Sequence, residues 1–169
     1  MTTTQIHKLL SRNESTRSLY QGTFPVDLLP RFSLSWHQKP ALIVVNHGES
    51  TTSGTHWSLI FFPKSAVDRP FYFDSFGNNI IKPHHPALQQ LEDYMHRSNK
   101  RGYIFNRIKY QDDKSLSCGK FVLAVAWLLA RGVQPEHIRY YFAKRALNSN
   151  ESLLNNIIKK MYNSYFVLK

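Results

Sequence analysis

The sequence contains a single cysteine, Cys118, among its 169 residues. An intramolecular disulfide is therefore excluded, and so are a disulfide-stapled secreted scaffold and a zinc site with four thiolate ligands. Long apolar runs are also lacking, since residues 121–130 form the longest and are too few to span a bilayer. No apolar segment follows Met1. These absences predict an intracellular protein without a secretory signal or a membrane-spanning helix.

Acidic residues are few, with 11 Asp or Glu against 22 Lys or Arg, which gives a net charge of +11. Residues 1–96 hold eight basic and seven acidic residues, whereas residues 97–169 hold fourteen basic and four acidic ones. Such a basic region indicates either a polyanionic partner such as nucleic acid or a solvated face that keeps the protein soluble. No helix-turn-helix or RNA-binding signature decides between the two.

Hydrophobic residues make up 42% of the chain and aromatic residues 14%, which is enough for a packed core in one domain spanning 1–169. The patterning predicts strands over 41–46, 55–62, 71–76 and 103–110. It predicts helices over 4–12, 86–97 and 118–130, and two more near 135–147 and 150–165.

The order of these elements defines the predicted fold class. The segments 55–62 and 71–76 can pair antiparallel across the loop 63–70, whereas residues 20–40, rich in Gly and Pro, are predicted to be irregular. The segment 118–130 is apolar nearly all round, which is typical of a central buried helix. The sequence therefore predicts an α+β domain with a small, mostly antiparallel sheet packed on that helix.

Cys118 begins the predicted central helix and follows a polar loop. A lone cysteine is usually a small buried hydrophobic residue. Backbone N–H groups at a helix N-terminus, however, lower the pKa of a thiol and favour the thiolate. Gly119 beside it would allow a substrate or another backbone to approach closely. The position therefore makes Cys118 a candidate nucleophile.

A thiolate nucleophile needs an imidazole, and the imidazole needs a group that orients it. His56 lies on a predicted strand, while no orienting group is evident for His47 in the preceding loop. Asp74 lies on the next strand within an aromatic run, where a carboxylate is costly unless it is paired. Opposed side chains on neighbouring strands have Cβ atoms about 5 Å apart, so His56 is a suitable partner. The alternative is an Asp74 at the strand edge, facing water.

Gln111 begins the polar loop that ends at Cys118. Its side-chain amide could donate a hydrogen bond to an oxyanion, alongside the backbone N–H of Cys118. Many loops begin with glutamine, so this residue alone is a weak indication.

Taken together, these residues resemble the adenovirus-type endopeptidases (adenain) and, more distantly, the SUMO-specific proteases. The resemblance is carried by Gly54-Thr-His-Trp57, Phe73-Asp-Ser-Phe-Gly77, and Gln111 seven residues before Cys118-Gly119. It covers about residues 18–132 and does not include the last two helices.

The resemblance implies a cysteine endopeptidase with a papain-like constellation and no metal. In it Cys118 is the nucleophile, His56 the base, Asp74 the third member and Gln111 the oxyanion donor. It also implies that Gly54, Trp57 and Gly119 belong to the substrate-binding cleft. Trp57 has an alternative interpretation as a core tryptophan beneath the sheet.

Two departures from the adenoviral pattern affect these expectations. Adenoviral enzymes carry Glu at the position of Asp74, whereas the SUMO-specific proteases carry Asp, as this chain does. They are also activated by a viral peptide that can form a disulfide with a second cysteine, which this chain lacks. A peptide activator is therefore expected to bind without a covalent bond. No cofactor is needed for the chemistry, although the family uses viral DNA as one, which agrees with the basic region 97–169.

The expected substrates are precursor polypeptides of a DNA virus or virus-like element, cleaved after glycine during particle maturation. If the protein is viral, it is expected to be a monomer and to be located in the host nucleus or the virion. Two alternatives remain open: a deubiquitinase or SUMO-type isopeptidase that acts on host conjugates, and a non-catalytic basic domain that binds nucleic acid.

Overall fold

The computed structural model describes residues 1–29, 40–52, 54–65, 67–79, 85–142 and 147–164, with the backbone alone described at 147–149. Within these ranges the chain forms strands and α-helices in a mixed order. The strands are β1 (Tyr20–Pro25), β2 (Ala41–Asn46), β3 (Trp57–Phe62), β4 (Phe71–Asp74) and β5 (Ile104–Phe105). The helices are α1 (Thr3–Arg12), α2 (Pro86–Ser98), α3 (Cys118–Ala130), α4 (Ile138–Phe142) and α5 (Leu147–Asn163).

The described strands form one sheet in the order β1-β2-β3-β4-β5. The central pairings β2–β3 and β3–β4 are antiparallel, as predicted across the loop 63–70. The outer pairings β1–β2 and β4–β5 are parallel. With helices gathered around this sheet, the predicted α+β class is confirmed.

Both faces of the sheet are covered by hydrophobic side chains. Leu59 and Phe73 belong to one core cluster, which they share with residues of α1, α3 and α5. Ile60 and Tyr72 point to the opposite face and join a second cluster with residues of α2. Because helices cover both faces, all residues of β2 are buried, which explains its uninterrupted apolar sequence.

The helix α3 has the predicted bounds and is the central element of the larger core. It packs against β3 and β4 on one side and against α1 and α5 on the others. Its apolar surface is therefore used all round, and Val122, Leu123 and Val125 are fully buried. Burial of such a side chain stabilises the fold by roughly 1.5–3 kcal/mol. Gly132, with a φ of 84°, adopts the left-handed conformation just beyond the C-cap Arg131.

The predictions were wrong for two edge strands. Residues 20–25 form β1 rather than an irregular segment, because the outer edge of β2 offers a ladder and Pro25 lies at the strand end. Conversely, β5 stops at Phe105 instead of continuing to Tyr110. The side chain of Asn106 takes the place of the next backbone pairing with β4. It accepts a hydrogen bond from the Asp74 N–H (2.9 Å) and donates one to the Asp74 carbonyl (2.6 Å).

The C-terminal helices differ in extent from the prediction. A 3-10 turn (Pro135–His137) leads into the short α4, and α5 begins at Leu147, earlier than expected. Residues 143–146, which fall within the predicted helix 135–147, lie outside the described residues. None of the described helices combines the length and the apolar character needed to cross a bilayer.

Candidate active site

The thiol of Cys118 lies at the first residue of α3 and is half-buried. Burial raises the pKa of this thiol, but the interaction with His56 and the backbone N–H groups of Trp57 and Gly119 outweigh it, so the pKa is lowered. The N-cap residue Ser117 makes no side-chain cap. The helix start therefore keeps N–H groups that favour a thiolate.

The imidazole of His56 precedes β3 and interacts with both other members of the predicted triad. Its Nε2 lies 3.0 Å from Oδ1 of Asp74. Its Nδ1 is buried and makes no hydrogen bond of normal geometry with any described residue. The side chain also interacts with Cys118. Burial lowers the pKa of His56, but Asp74 and then Cys118 outweigh burial and raise it to about 9.

Asp74 is almost fully buried, with 1% of its surface exposed, and ends β4. Its Oδ1 also accepts from the Phe76 N–H at 2.8 Å. The prediction that His56 lies directly opposite Asp74 was wrong, because Ser58 holds that position in the register. His56 lies two residues earlier and reaches Asp74 diagonally, a separation that a histidine side chain can span.

The His56 ring is held between two other rings. The His47 ring lies edge-on with centroids 5.1 Å apart, and the Phe76 ring lies 5.0 Å away. His47 extends the β2–β3 ladder by donating its backbone N–H to the His56 carbonyl (2.9 Å). Its Nε2 lies 2.9 Å from Ser58 Oγ. Burial, followed by the charge of His56, lowers the pKa of His47 to about 4, so this ring is neutral.

His47 was thus missed by sequence reasoning, which found no group to orient it. Only the strand register, which the sequence does not reveal, brings His47 to this site. Asn46 pairs with Trp57 at the end of the antiparallel ladder. His47 follows Asn46 and His56 precedes Trp57, so these two histidines lie opposite each other.

Gln111 is buried beside the loop that leads to Cys118, with 2% of its surface exposed. Its Oε1 accepts from Ser75 Oγ at 2.6 Å, and its Nε2 donates to the Ser115 carbonyl at 2.6 Å. An amide carries two N–H donors, so this contact leaves one of them for another acceptor. Gln111 as oxyanion donor stays a prediction.

The three residues predicted for the substrate cleft lie close to the nucleophile or to the turn before His56. Gly119 is buried, and a Cβ at this position would lie 3.0 Å from Met1 Cβ and 3.4 Å from Trp57 Cδ1. Gly54 has a φ of 74° and packs against the Asn46 amide, which leaves no space for a side chain. Trp57 is buried in the larger core cluster. Their roles in substrate binding stay predictions.

A second layer of polar residues supports the site and was not identified from the sequence. Asn106 holds the backbone of Asp74, as described above, and donates to the Ile108 carbonyl at 3.1 Å. Ser75 accepts at its carbonyl from the Gln111 N–H at 3.1 Å. Glu151 on α5 accepts from Ser115 Oγ at 2.9 Å.

Among the described residues, no cluster of three or more His, Cys, Asp or Glu side chains is arranged to hold a metal ion.

Comparisons with known proteins return similarity in structure only. No family model matches the chain, and no curated protein matches it. One similar solved structure is the selenomethionine form of ASFV pS273R protease, with a TM-score of 0.48 and 18% identity, covering 76% of this chain and 45% of that one. Another crystal structure of ASFV pS273R protease gives a TM-score of 0.41 and 20% identity, covering 59% and 36%. The chain therefore spans less than half the length of these proteases.

Proposed function

We propose that this chain is a cysteine endopeptidase in which Cys118 attacks the peptide carbonyl. The observation that carries the proposal is the position of His56 between its partners. One ring nitrogen lies 3.0 Å from the buried carboxylate of Asp74, the other has no hydrogen-bond partner among the described residues, and the ring interacts with the Cys118 side chain. A nucleophile, a base and an orienting acceptor arranged in this way are the components of nucleophilic acyl transfer.

In the proposed reaction the Cys118 thiolate forms a bond to the carbonyl carbon, and the carbonyl electron pair moves to oxygen. The backbone N–H of Cys118 and the Gln111 amide donate to that oxyanion. As the carbon–nitrogen bond breaks, the His56 imidazolium gives its proton to the leaving amine. His56 then accepts a proton from water, whose oxygen attacks the thioester and releases the carboxylic acid and the thiolate.

The substrate proposal is narrower and depends on the resemblance. Polypeptides cleaved after glycine, as in precursor processing by a virus or virus-like element, are the proposed substrates. Nucleic acid is proposed as a partner because residues 97–169 carry fourteen basic and four acidic residues. An activating peptide, if required, would bind without a disulfide, since Cys118 is the only cysteine.

The experiment is a digest of a peptide library rich in glycine by wild type and by Cys118→Ser, analysed by mass spectrometry. We expect cleavage by wild type alone, because a hydroxyl in this site lacks the low pKa of the thiol. Gln111→Ala should retain cleavage at a rate lower by roughly two to three orders of magnitude, the cost of one oxyanion donor.

Three other results would contradict the proposal in different ways. Equal cleavage by wild type and Cys118→Ser would mean that another nucleophile acts. In a parallel digest, cleavage of ubiquitin-like fusion proteins without cleavage of the peptide library would favour the alternative function, a deubiquitinase or SUMO-type isopeptidase. No cleavage, together with no labelling of Cys118 by a peptide aldehyde, would leave the non-catalytic nucleic-acid-binding domain.

A further inference from the structure

The last helix, α5, contacts the loop 111–117 that precedes the nucleophile. Asn150 is buried and donates through Nδ2 to the Tyr110 carbonyl at 3.0 Å. The carboxylate of the neighbouring Glu151 accepts from Ser115 Oγ at 2.9 Å and also from Ser117 Oγ. Two successive residues of one helix therefore hold the loop at its start and at its end.

Ser115 connects Glu151 to the predicted oxyanion donor. Its hydroxyl is bound by Glu151, and its carbonyl accepts from Gln111 Nε2 at 2.6 Å. Within the loop, its N–H donates to the Asp112 carbonyl at 3.0 Å. Ser115 therefore holds the N–H side of the Gln111 amide, while Ser75 holds its oxygen, and Ser115 in turn is bound by a carboxylate from a distant part of the chain.

Ser117 is the second point of contact. As the N-cap of α3, its side-chain oxygen would ordinarily accept a hydrogen bond from a backbone N–H of the first helical turn, but it makes no such cap. Its hydroxyl is directed to Glu151 instead. The backbone N–H groups at the start of α3 therefore stay available beside Cys118.

We infer that Glu151 is a positioning residue, which holds the loop 111–117 so that the Gln111 amide and the first turn of α3 face the reacting carbonyl. The inference rests on the proposed function. Burial raises the pKa of Glu151, but the Ser117 and Ser115 hydroxyls and Lys120 outweigh it and lower the pKa. The group is therefore an anion at neutral pH and a strong acceptor for both serines.

The competing interpretation is a surface ion pair that contributes only to stability. Lys120 Nζ lies 3.4 Å from Glu151 Oε2 and also donates to Asn155 Oδ1 at 3.0 Å. A partly exposed pair of this kind at the surface contributes little. Lys120→Ala removes the ion pair and leaves both serine contacts, so it is the matched control for Glu151→Ala.

The test compares kcat and KM for peptide cleavage by wild type, Glu151→Ala, Glu151→Gln and Lys120→Ala. We expect Glu151→Ala to lower kcat by about tenfold to a hundredfold with little change in KM, because misplacement of a catalytic group by about 1 Å can have an effect of that size. Glu151→Gln keeps one acceptor oxygen and should restore part of the rate. Lys120→Ala should match wild type, and equal losses in Lys120→Ala and Glu151→Ala would overturn the inference.

A double mutant separates positioning from general damage. In a Gln111→Ala background, the further change Glu151→Ala should lower kcat by less than about threefold, because residues that act as one unit have non-additive effects. A full multiplicative loss would show that Glu151 does not act through Gln111.

Hydrogen exchange of the loop amides gives a readout that does not need activity. Residues 111–117 should exchange faster in Glu151→Ala than in wild type or Lys120→Ala, because the loop loses its anchor. Unchanged exchange would overturn the inference. If wild type cleaves no peptide, the proposed function fails, and this measurement alone decides whether Glu151 orders the loop.

Discussion

Each nitrogen of the His56 ring has a separate task. Nε2 lies 3.0 Å from Asp74, whereas Nδ1 is buried without a hydrogen-bond partner among the described residues and is the nitrogen that we propose for the Cys118 thiol. The pKa of His56 is raised to about 9 and that of Cys118 is lowered, and both shifts favour a thiolate–imidazolium pair. The stabilisation contributed by the raised pKa of His56 is complete below the ordinary histidine pKa and is lost as the pH rises through about 9. The stabilisation contributed by the lowered pKa of Cys118 has the opposite dependence: it is complete above the ordinary thiol pKa and is lost as the pH falls through the lowered value.

The pKa of His47 is shifted in the direction opposite to that of His56, and this shift leads to a testable prediction. Its folded-state pKa is about 4, below the ordinary value of 6.5. As the pH falls from 6.5 to 4, the unfolded chain binds a proton that the folded chain does not, so the free energy of unfolding decreases. Replacement by His47→Gln removes this contribution. Urea unfolding at several pH values should give a shallower decline for the variant than for wild type, and equal declines would contradict the prediction.

Local signals in the sequence indicate three of the residues that lie at this site. Asp74 stands out because a carboxylate in an aromatic strand is costly unless it is paired, and His56 on the neighbouring strand is a suitable partner. Cys118 stands out because a helix start favours the thiolate. The exact neighbour of Asp74 was not predictable, because the register was unknown. His47 was missed for the same reason.

At the scale of elements, the apolar pattern predicted α3, β2 and the pairing of β3 with β4. Edge strands were harder to predict, because their ladders depend on a partner elsewhere in the chain. Gly22 and Pro25 indicated an irregular segment, although β2 supplies a parallel partner there. In the segment after Phe105, alternation predicted a strand, but the Asn106 side chain takes over the hydrogen bonds of the backbone.

Asn106 provides a prediction at this scale. Asn106→Ala removes three hydrogen bonds around the end of β4, so the free energy of unfolding should fall by about 2–4 kcal/mol. Because Asp74 loses its backbone support, kcat should also fall at temperatures where the variant is folded. Thermal unfolding and peptide cleavage would measure the two effects.

Asn99→Ala is the matched control for this prediction. Asn99 is also buried, donates to the carbonyls of Val67 and Asp68, and accepts from the Arg101 N–H, and none of these partners belongs to the triad. Asn99→Ala should lower the free energy of unfolding and leave kcat as in wild type. A similar fall in kcat for both variants would mean that Asn106 has no particular effect on the site.

At the scale of the whole molecule, the contacts of α5 could not be predicted. The pairing of Glu151 with Ser115 and Ser117 joins positions more than thirty residues apart. Such a contact arises from the packing of α5 on α3, and a glutamate on an amphipathic helix is indistinguishable from a solvated charge in the sequence. The support of the site by the C-terminal helix is therefore a result of the tertiary structure.

The uneven charge also belongs to the whole molecule and makes the next prediction. If residues 97–169 bind duplex DNA, the association constant should fall steeply with salt, by roughly a thousandfold between about 50 and 200 mM for six phosphate contacts. Fluorescence anisotropy with a labelled duplex measures this. Binding that is absent at low salt would assign the basic residues to a solvated surface.

The central claim is that Cys118 and His56 form a reactive ion pair, and the pH dependence of alkylation tests it most directly. Because Cys118 is the only cysteine, iodoacetamide incorporation followed by mass spectrometry reports on this thiol alone. Wild type should react well below the ordinary thiol pKa of about 8.5, whereas His56→Ala should react only as the pH approaches that value. The same profile in both proteins, with half-maximal reaction near the ordinary thiol pKa, would contradict the account.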